Sequence, residues 1–202
     1  MKPQQRVGIF GGTFDPPHVG HLILAEECRT QLELDLLLWV VTDNPPHKRY
    51  ANVSPIEQRF MLVELAIQGN PAFEASRVDI DRPGPHYAID TVNILKNQYP
   101  RAEMFYLMGG DSLHDLPTWN KPQEFIRVCD GIGVMRRHAD QVDLTLLEQE
   151  LHGISAKVNI VDAPILEISS KQIRQRIGEG MGYRYYLRDA VYQAIFEVGM
   201  YR

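Results

Sequence analysis

Apolar residues fall along this chain in short continuous runs, separated by stretches in which they recur at helical spacing. Arg6 to Phe10, Leu36 to Val41, Met104 to Met108, Gly131 to Met135 and Val158 to Val161 are such runs. Their length and near-continuous aliphatic character predict strands buried on both faces of a parallel sheet. Between them, Ile56, Phe60, Val63 and Ile67 share one helical face, and Ile89, Val92 and Leu95 do the same within Ala88 to Gln98. Leu144, Leu147 and Leu151 predict a short helix stopped by Gly153, and Val191, Ala194, Ile195 and Val198 predict a last packing helix. Glu74 to Asp81 predicts one more short strand, followed by the turn Arg82-Pro83-Gly84-Pro85. Strands alternating with helices define an α/β class with a doubly wound, mostly parallel sheet, whose ligand site lies where the strand order reverses. No linker, repeat or low-complexity tract interrupts the pattern, so one domain is expected over 1–202.

End signals sharpen several of these elements. Ser54-Pro55-Ile56-Glu57 reads as a capping box with proline at the first helical position, leaving Arg59 and Glu64 on the solvated side. Asp111, after the glycine pair that closes the Met104 strand, reads as the N-cap of the next helix. Ser169 and Ser170 open a helix that turns Ile173 and Ile177 inward.

The chain has 202 residues, 44% of them hydrophobic, enough for one sizeable core. Its net charge of −5 argues against nucleic acid as partner, so a phosphorylated substrate needs locally placed cations. No apolar run approaches the roughly 20 residues that span a bilayer. No charged n-region followed by an apolar h-region opens the sequence, so a cytoplasmic protein is expected. Cys28 and Cys129 form no CxxC pair and read as reduced, buried thiols. A homo-oligomer is compatible with all of this. There is no GxGxxG and no Gly-Lys pair, which weighs against a dinucleotide oxidoreductase and excludes a Walker A loop.

The chemistry concentrates in Gly8 to Leu22, GIFGGTFDPPHVGHL. An apolar strand meets Gly11 and Gly12, where a tight turn is expected and main-chain N–H groups can approach a ligand. Asp15-Pro16-Pro17 is expected to be extended, because the residue before proline is driven out of the α region. A helix starts near Val19 and Gly20, so His18 and His21 straddle its N-terminus, where orphan N–H groups and the helix dipole favour anions. Together these features predict a phosphate site.

This stretch resembles the HxGH nucleotidylyltransferase superfamily, and GGTFDPPHVGHL resembles its bacterial nicotinate-mononucleotide adenylyltransferase branch. Further strings carry the same resemblance: NPPHK around Lys48, Gly-Gly-Asp ending at Asp111, Leu-Pro-Thr-Trp ending at Trp119, and Ile168-Ser-Ser-Lys-Gln-Ile-Arg174. It implies a Rossmann-like nucleotidylyltransferase fold and ATP contacts from Gly11, Gly12, Phe14, His18, His21, Gly109, Asp111, Ser169, Ser170 and Arg174. One of Arg136 and Arg137 joins them, with Arg136 the candidate. It implies mononucleotide contacts from Thr13, Lys48, Tyr87, Ala88, Asp111, Trp119 and Asn120, and catalytic roles for His18, His21 and Arg174. The chain departs from the family pattern at His86 and Ala88, where hydroxyl residues are usual, at His138-Ala139, and at Lys171 in place of threonine.

The implied reaction moves the adenylyl group of ATP to nicotinate mononucleotide, giving deamido-NAD and pyrophosphate in NAD biosynthesis. Mg²⁺ would arrive with ATP, bound by phosphates and water, with no protein cage and so no metal-ligand set to be read from the sequence. Alternatives from the same residues are transfer to nicotinamide mononucleotide, to both pyridine nucleotides or to phosphopantetheine, and a catalytically silent nucleotide-binding regulator. A pyridine pocket built from main-chain N–H donors near Tyr87-Ala88 and Trp119-Asn120 would favour the carboxylate, whereas an acceptor on His86 would admit the amide.

Overall fold

The computed structural model describes residues 5–42, 53–135, 143–164 and 166–202. The apolar runs become six parallel strands: β1 (Gln5–Gly12), β2 (Leu36–Val41), β3 (Phe73–Ser76), β4 (Ala102–Gly109), β5 (Gly131–Met135) and β6 (Val158–Val161). They form one sheet in the order β3-β2-β1-β4-β5-β6. The helices between and after them are α1 (Val19–Gln31), α2 (Ile56–Ile67), α3 (Ala88–Gln98), α4 (Gly110–His114), α5 (Pro122–Val128), α6 (Leu144–Glu150), α7 (Ser170–Gly178) and α8 (Asp189–Val198).

Alternation along the strands divides the core in two. Phe10, Trp39 and Phe105 point to the face covered by α1, α2, α7 and α8, where Ala25, Val63, Ile173 and Val191 meet them. Val7, Ile9 and Leu38 point to the face covered by α3, α5 and α6, against Val92, Phe125 and Leu147. Strands buried on both faces need apolar residues at every position, which is why they appear in the sequence as unbroken runs. The chain builds outward from β1 through β2 to β3, then returns to β4 on the other flank of β1. That reversal opens a crevice at the carboxyl ends of β1 and β4, the place where open α/β sheets bind ligands.

Several expectations change. β3 ends at Ser76, and residues 77–81 form a turn closed by Ile80 and Asp81 N–H groups on the Arg77 carbonyl. β1 runs through both glycines to Gly12. The turn comes later, with Phe14 at φ 48° and a bend at Asp15-Pro16, whose peptide is cis, where an extended segment was expected. The box at Ser54 does not form: Pro55 is the N-cap, without a side-chain hydrogen bond, and Glu57 turns outward to a bidentate pair with Arg77. Arg59, expected on the solvated side, is fully buried, while Val198 of α8 is 57% exposed. Gly109, and not Asp111, is the N-cap of α4, because the helix starts directly after the strand. Cys28 and Cys129 are buried and unpaired, and burial raises both thiols to about 12. Among the described residues, no helix is long and apolar enough to cross a membrane.

Candidate active site

The site begins where β1 stops. A Cβ on Gly12 would lie 2.7 Å from the Phe14 ring, so the absence of a side chain there lets that ring fold back under the strand. Phe14 packs edge-on to Phe10 (5.5 Å between centroids) and tilts against Trp39 (5.2 Å). A left-handed backbone at a non-glycine residue is sparsely populated, and here this aromatic cluster holds it. The Phe14 ring is buried, so only its main chain can face a nucleotide.

The chain then turns through Asp15-Pro16 into α1. His18 is the N-cap and His21 the third helical residue, and each imidazole serves the other's main chain. His21 N–H donates to His18 Nδ1 at 3.3 Å, and His18 N–H donates to His21 Nδ1 at 3.2 Å. This is a capping box built from two histidines. Because both Nδ1 atoms accept, the neutral rings carry their protons on Nε2, and each presents an N–H donor. The rings stack with centroids 3.7 Å apart. A Cβ at Gly20 would sit 3.0 Å from His18 Nδ1, so the glycine between the histidines is what lets His18 pack as it does.

A second helix N-terminus meets this one. Ser169 caps α7, its Oγ accepting from Gln172 N–H at 3.2 Å. Ser170 Oγ donates to the Pro16 carbonyl at 2.7 Å, and Arg174 Nη1 donates to the Asp15 carbonyl at 2.6 Å. Ile168 reaches within 3.9 Å of the Cβ position at Gly20. Two dipoles and two sets of orphan N–H groups therefore converge with the histidine pair, an arrangement whose partial positive charge favours an anion. Lys171 is exposed beside it.

Across β1 lies a largely apolar pocket of about 650 Å³, counting its open mouth. Tyr87, Ala88, Trp119 and Asn120 line it, as the sequence expects, together with Gly11. Trp119 is half-buried, with Phe125 (5.4 Å) and Tyr106 (6.0 Å) behind it, so it is both a packing residue and a wall of the cavity. His86, whose imidazole the sequence offers as an acceptor for an amide, lines the pocket as well, and so do Asp79, Thr91 and Tyr106, which the sequence did not mark as site residues. Asp79 Oδ1 accepts from Arg82 (2.8 Å from Nη2) and from Thr91 Oγ1 (2.8 Å), a buried pair in the pocket wall. Burial, then the Asp79 charge, holds the Tyr106 phenol well above its ordinary range, so it stays neutral. Period-two alternation could have found Tyr106, which shares a face with Met104 and Met108 near the carboxyl end of a central strand.

Arg59 ties the loops together. Its Nη1 donates to the Thr13 carbonyl (2.7 Å) and the Thr42 carbonyl (2.9 Å), and its Nε to the Ser54 carbonyl (2.9 Å). Thr13 thus contributes its carbonyl to a structural bond. Gly109 and Asp111 sit where β4 passes into α4, with Asp111 exposed. Lys48, Arg136 and Arg137 lie outside the described residues.

This sheet order, with an anion site at paired helix N-termini beside an aromatic pocket, defines a Rossmann-like nucleotide-binding enzyme. Residues 9–176 match the family model described as cytidylyltransferase-like, and the chain belongs to that family of nucleotidyltransferases. It is 42% identical over 197 residues to a Thermomicrobium roseum protein named "Probable nicotinate-nucleotide adenylyltransferase", covering 98% of this chain and 92% of that one. A Saccharopolyspora erythraea protein of the same name is 38% identical over 202 residues, covering 100% and 92%. Among solved structures, Plasmodium falciparum nicotinic acid mononucleotide adenylyltransferase complexed with NaAD has the same fold, with a TM-score of 0.78 at 15% identity over 98% of this chain and 97% of that one.

Proposed function

We propose that this chain transfers the adenylyl group of ATP to nicotinate mononucleotide, releasing pyrophosphate and deamido-NAD. The observation that carries the reading is the reciprocal histidine cap of α1 set against the N-terminus of α7, beside a pocket walled by Trp119. The names of the relatives at 38–42% identity support the same acceptor.

A phosphate monoester has a second pKa of about 6, so the attacking oxygen is already ionised at neutral pH and needs no general base. That oxygen forms a bond to the α-phosphorus of ATP as the bond to the pyrophosphate oxygen breaks. Negative charge builds on the α-phosphoryl oxygens and the leaving group, and catalysis consists of alignment and charge stabilisation. His18 and His21 supply Nε2–H donors, the two helix N-termini supply main-chain N–H groups, and Arg174 supplies the fixed cation. ATP enters as its Mg²⁺ complex; among the described residues no group of three or more His, Cys, Asp or Glu side chains is placed to hold a metal. Trp119 offers its face to the pyridine ring, with Tyr87, Ala88 and Asn120 around the ring substituent. Pyrophosphate release from ATP in the presence of nicotinate mononucleotide tests the reading, and its absence would favour a silent nucleotide-binding protein.

Nicotinamide mononucleotide is the second reading, and His86 favours it. His86 Nε2 lies 3.1 Å from the Arg82 carbonyl, so it donates there and leaves Nδ1 as an acceptor. With Asp79 also in the lining, the pocket is not built of donors alone. The Arg82 guanidinium offsets the Asp79 charge at 2.8 Å, which keeps the pocket open to a carboxylate.

A further inference from the structure

Asp15 lies between the histidine pair and everything packed around it. Its side chain is 3% exposed and is held from three directions. Oδ1 accepts the Tyr201 hydroxyl at 2.7 Å, and Oδ2 accepts the Ser54 N–H at 3.2 Å and lies 3.8 Å from Arg174 Nη1. The Asp15 carbonyl takes the shorter bond from that same nitrogen, at 2.6 Å. A buried carboxylate is stable only when its oxygens are satisfied, so these partners are matched to one another.

The most distant of them in sequence is Tyr201. The chain leaves α8 through Gly199 in the left-handed region (φ 70°), buries Met200, and turns again at Tyr201, itself at φ 65°. A left-handed tyrosine is uncommon and persists only when its surroundings hold it. Here its carbonyl lies 3.6 Å from the Cβ position at Gly178, the last residue of α7, while its ring reaches back to the loop that opens α1. Burial, and then the Asp15 charge, raises the phenol far above its ordinary range, so it is a permanent donor.

We propose that Tyr201 is a positioning residue for adenylyl transfer. By fixing the Asp15 carboxylate it sets the Arg174 guanidinium, and with it the register of α7 against the start of α1, where His18 and His21 lie. Arg174 keeps 30% of its side chain exposed, so the docked guanidinium remains within reach of a polyphosphate. Without the phenol, Oδ1 loses its donor and the carboxylate is free to rotate toward Arg174, competing with ATP for the cation. The inference rests on the function proposed above, in which Arg174 meets the triphosphate.

Tyr201→Phe removes only the hydroxyl and tests the inference. Titration calorimetry with a non-hydrolysable ATP analogue and Mg²⁺ should show binding about 5-fold weaker or more, the scale of one ordinary net hydrogen bond. KM for ATP should rise by a similar factor, with KM for the mononucleotide unchanged. In an Arg174→Ala background the same substitution should have no further effect on analogue binding, because the two act as one unit. Unchanged analogue affinity in Tyr201→Phe would overturn the proposal, as would equal weakening with and without Arg174. Thermal unfolding of each variant shows whether it is folded, and Tyr201→Trp, which restores a donor on a ring, should recover part of the affinity. If wild-type protein bound the analogue but released no pyrophosphate, the reaction assignment would fail while the binding measurement still judged Tyr201.

Discussion

Arg59→Met deletes a guanidinium and keeps most of its aliphatic stem. Arg59 is 0% exposed and donates to the carbonyls of Thr13, Thr42 and Ser54 at 2.7, 2.9 and 2.9 Å. Each buried acceptor left without a donor costs about 1–3 kcal/mol. Against that stands the several kcal/mol no longer spent desolvating a cation. The balance is a loss of about 2–4 kcal/mol. For a chain of this size, 1 kcal/mol moves Tm by about 2–4 °C, so Tm should fall by about 5–15 °C in a circular dichroism melt. Activity should fall as well, because Thr13 and Thr42 directly follow β1 and β2, whose residues line the pocket, and small misplacements of positioning groups are costly. We expect kcat/KM to drop about 10-fold or more at a temperature where the variant is fully folded. Arg59→Lys should lie between the two, since one ammonium on a flexible stem does not reproduce a fork that serves three carbonyls. A Met variant that melts within 2 °C of wild type and keeps full kcat/KM would refute the clamp.

Three further outcomes follow from the same geometry. His21→Ala removes the Nε2–H donor that the proposed mechanism sets against the reacting phosphate and should lower kcat about 10²-fold with little change in ATP affinity; near-normal kcat would remove His21 from the chemistry. Trp119→Ala should weaken the mononucleotide by about 1–3 kcal/mol, measured as KM, while leaving ATP binding nearly intact. Because Trp119 also rests on Phe125 and Tyr106, its melt should shift down modestly; unfolding without selective loss of mononucleotide binding would make it a core residue alone. Cys28 and Cys129 titrate at about 12, raised first of all by burial, so both are protonated thiols below that pH. An aromatic disulfide reagent at pH 8 should label neither in the native protein and both in denaturant, and rapid native labelling would contradict their burial.

The sequence carried the parts of this fold that depend on local burial. β2, β5, β6 and α3 have the bounds expected from their apolar runs and helical spacing. A strand buried on both faces, or a helix with one buried face, writes its environment into its own residues. The histidine pair and the serines of α7 were legible for the same reason, since caps act within a single turn. What stayed hidden depends on residues far apart. Arg59 sits on a helix at a position where an arginine is ordinarily solvated, and only the arrival of Thr13 and Thr42 makes it a buried donor. Ser54 and Glu57 have the residue types of a capping box, but Asp15 and Arg77 compete for them and win. Asp79 was read as part of a strand, although its carboxylate is buried against Arg82 and Thr91. Tyr201 touches Asp15 across 186 positions, which no local pattern records.

The most direct test of the account is product formation by the wild-type protein with ATP, Mg²⁺ and each pyridine mononucleotide in turn, read by chromatography of the dinucleotide and by pyrophosphate release. Nicotinate mononucleotide should give deamido-NAD and pyrophosphate in equal amounts, with a kcat/KM well above that for nicotinamide mononucleotide, since a polar substituent left facing the wrong partner costs about 1–3 kcal/mol or more. Equal kcat/KM for the two would mean that His86 and its neighbours accept the amide, and the absence of pyrophosphate with either would contradict adenylyl transfer itself.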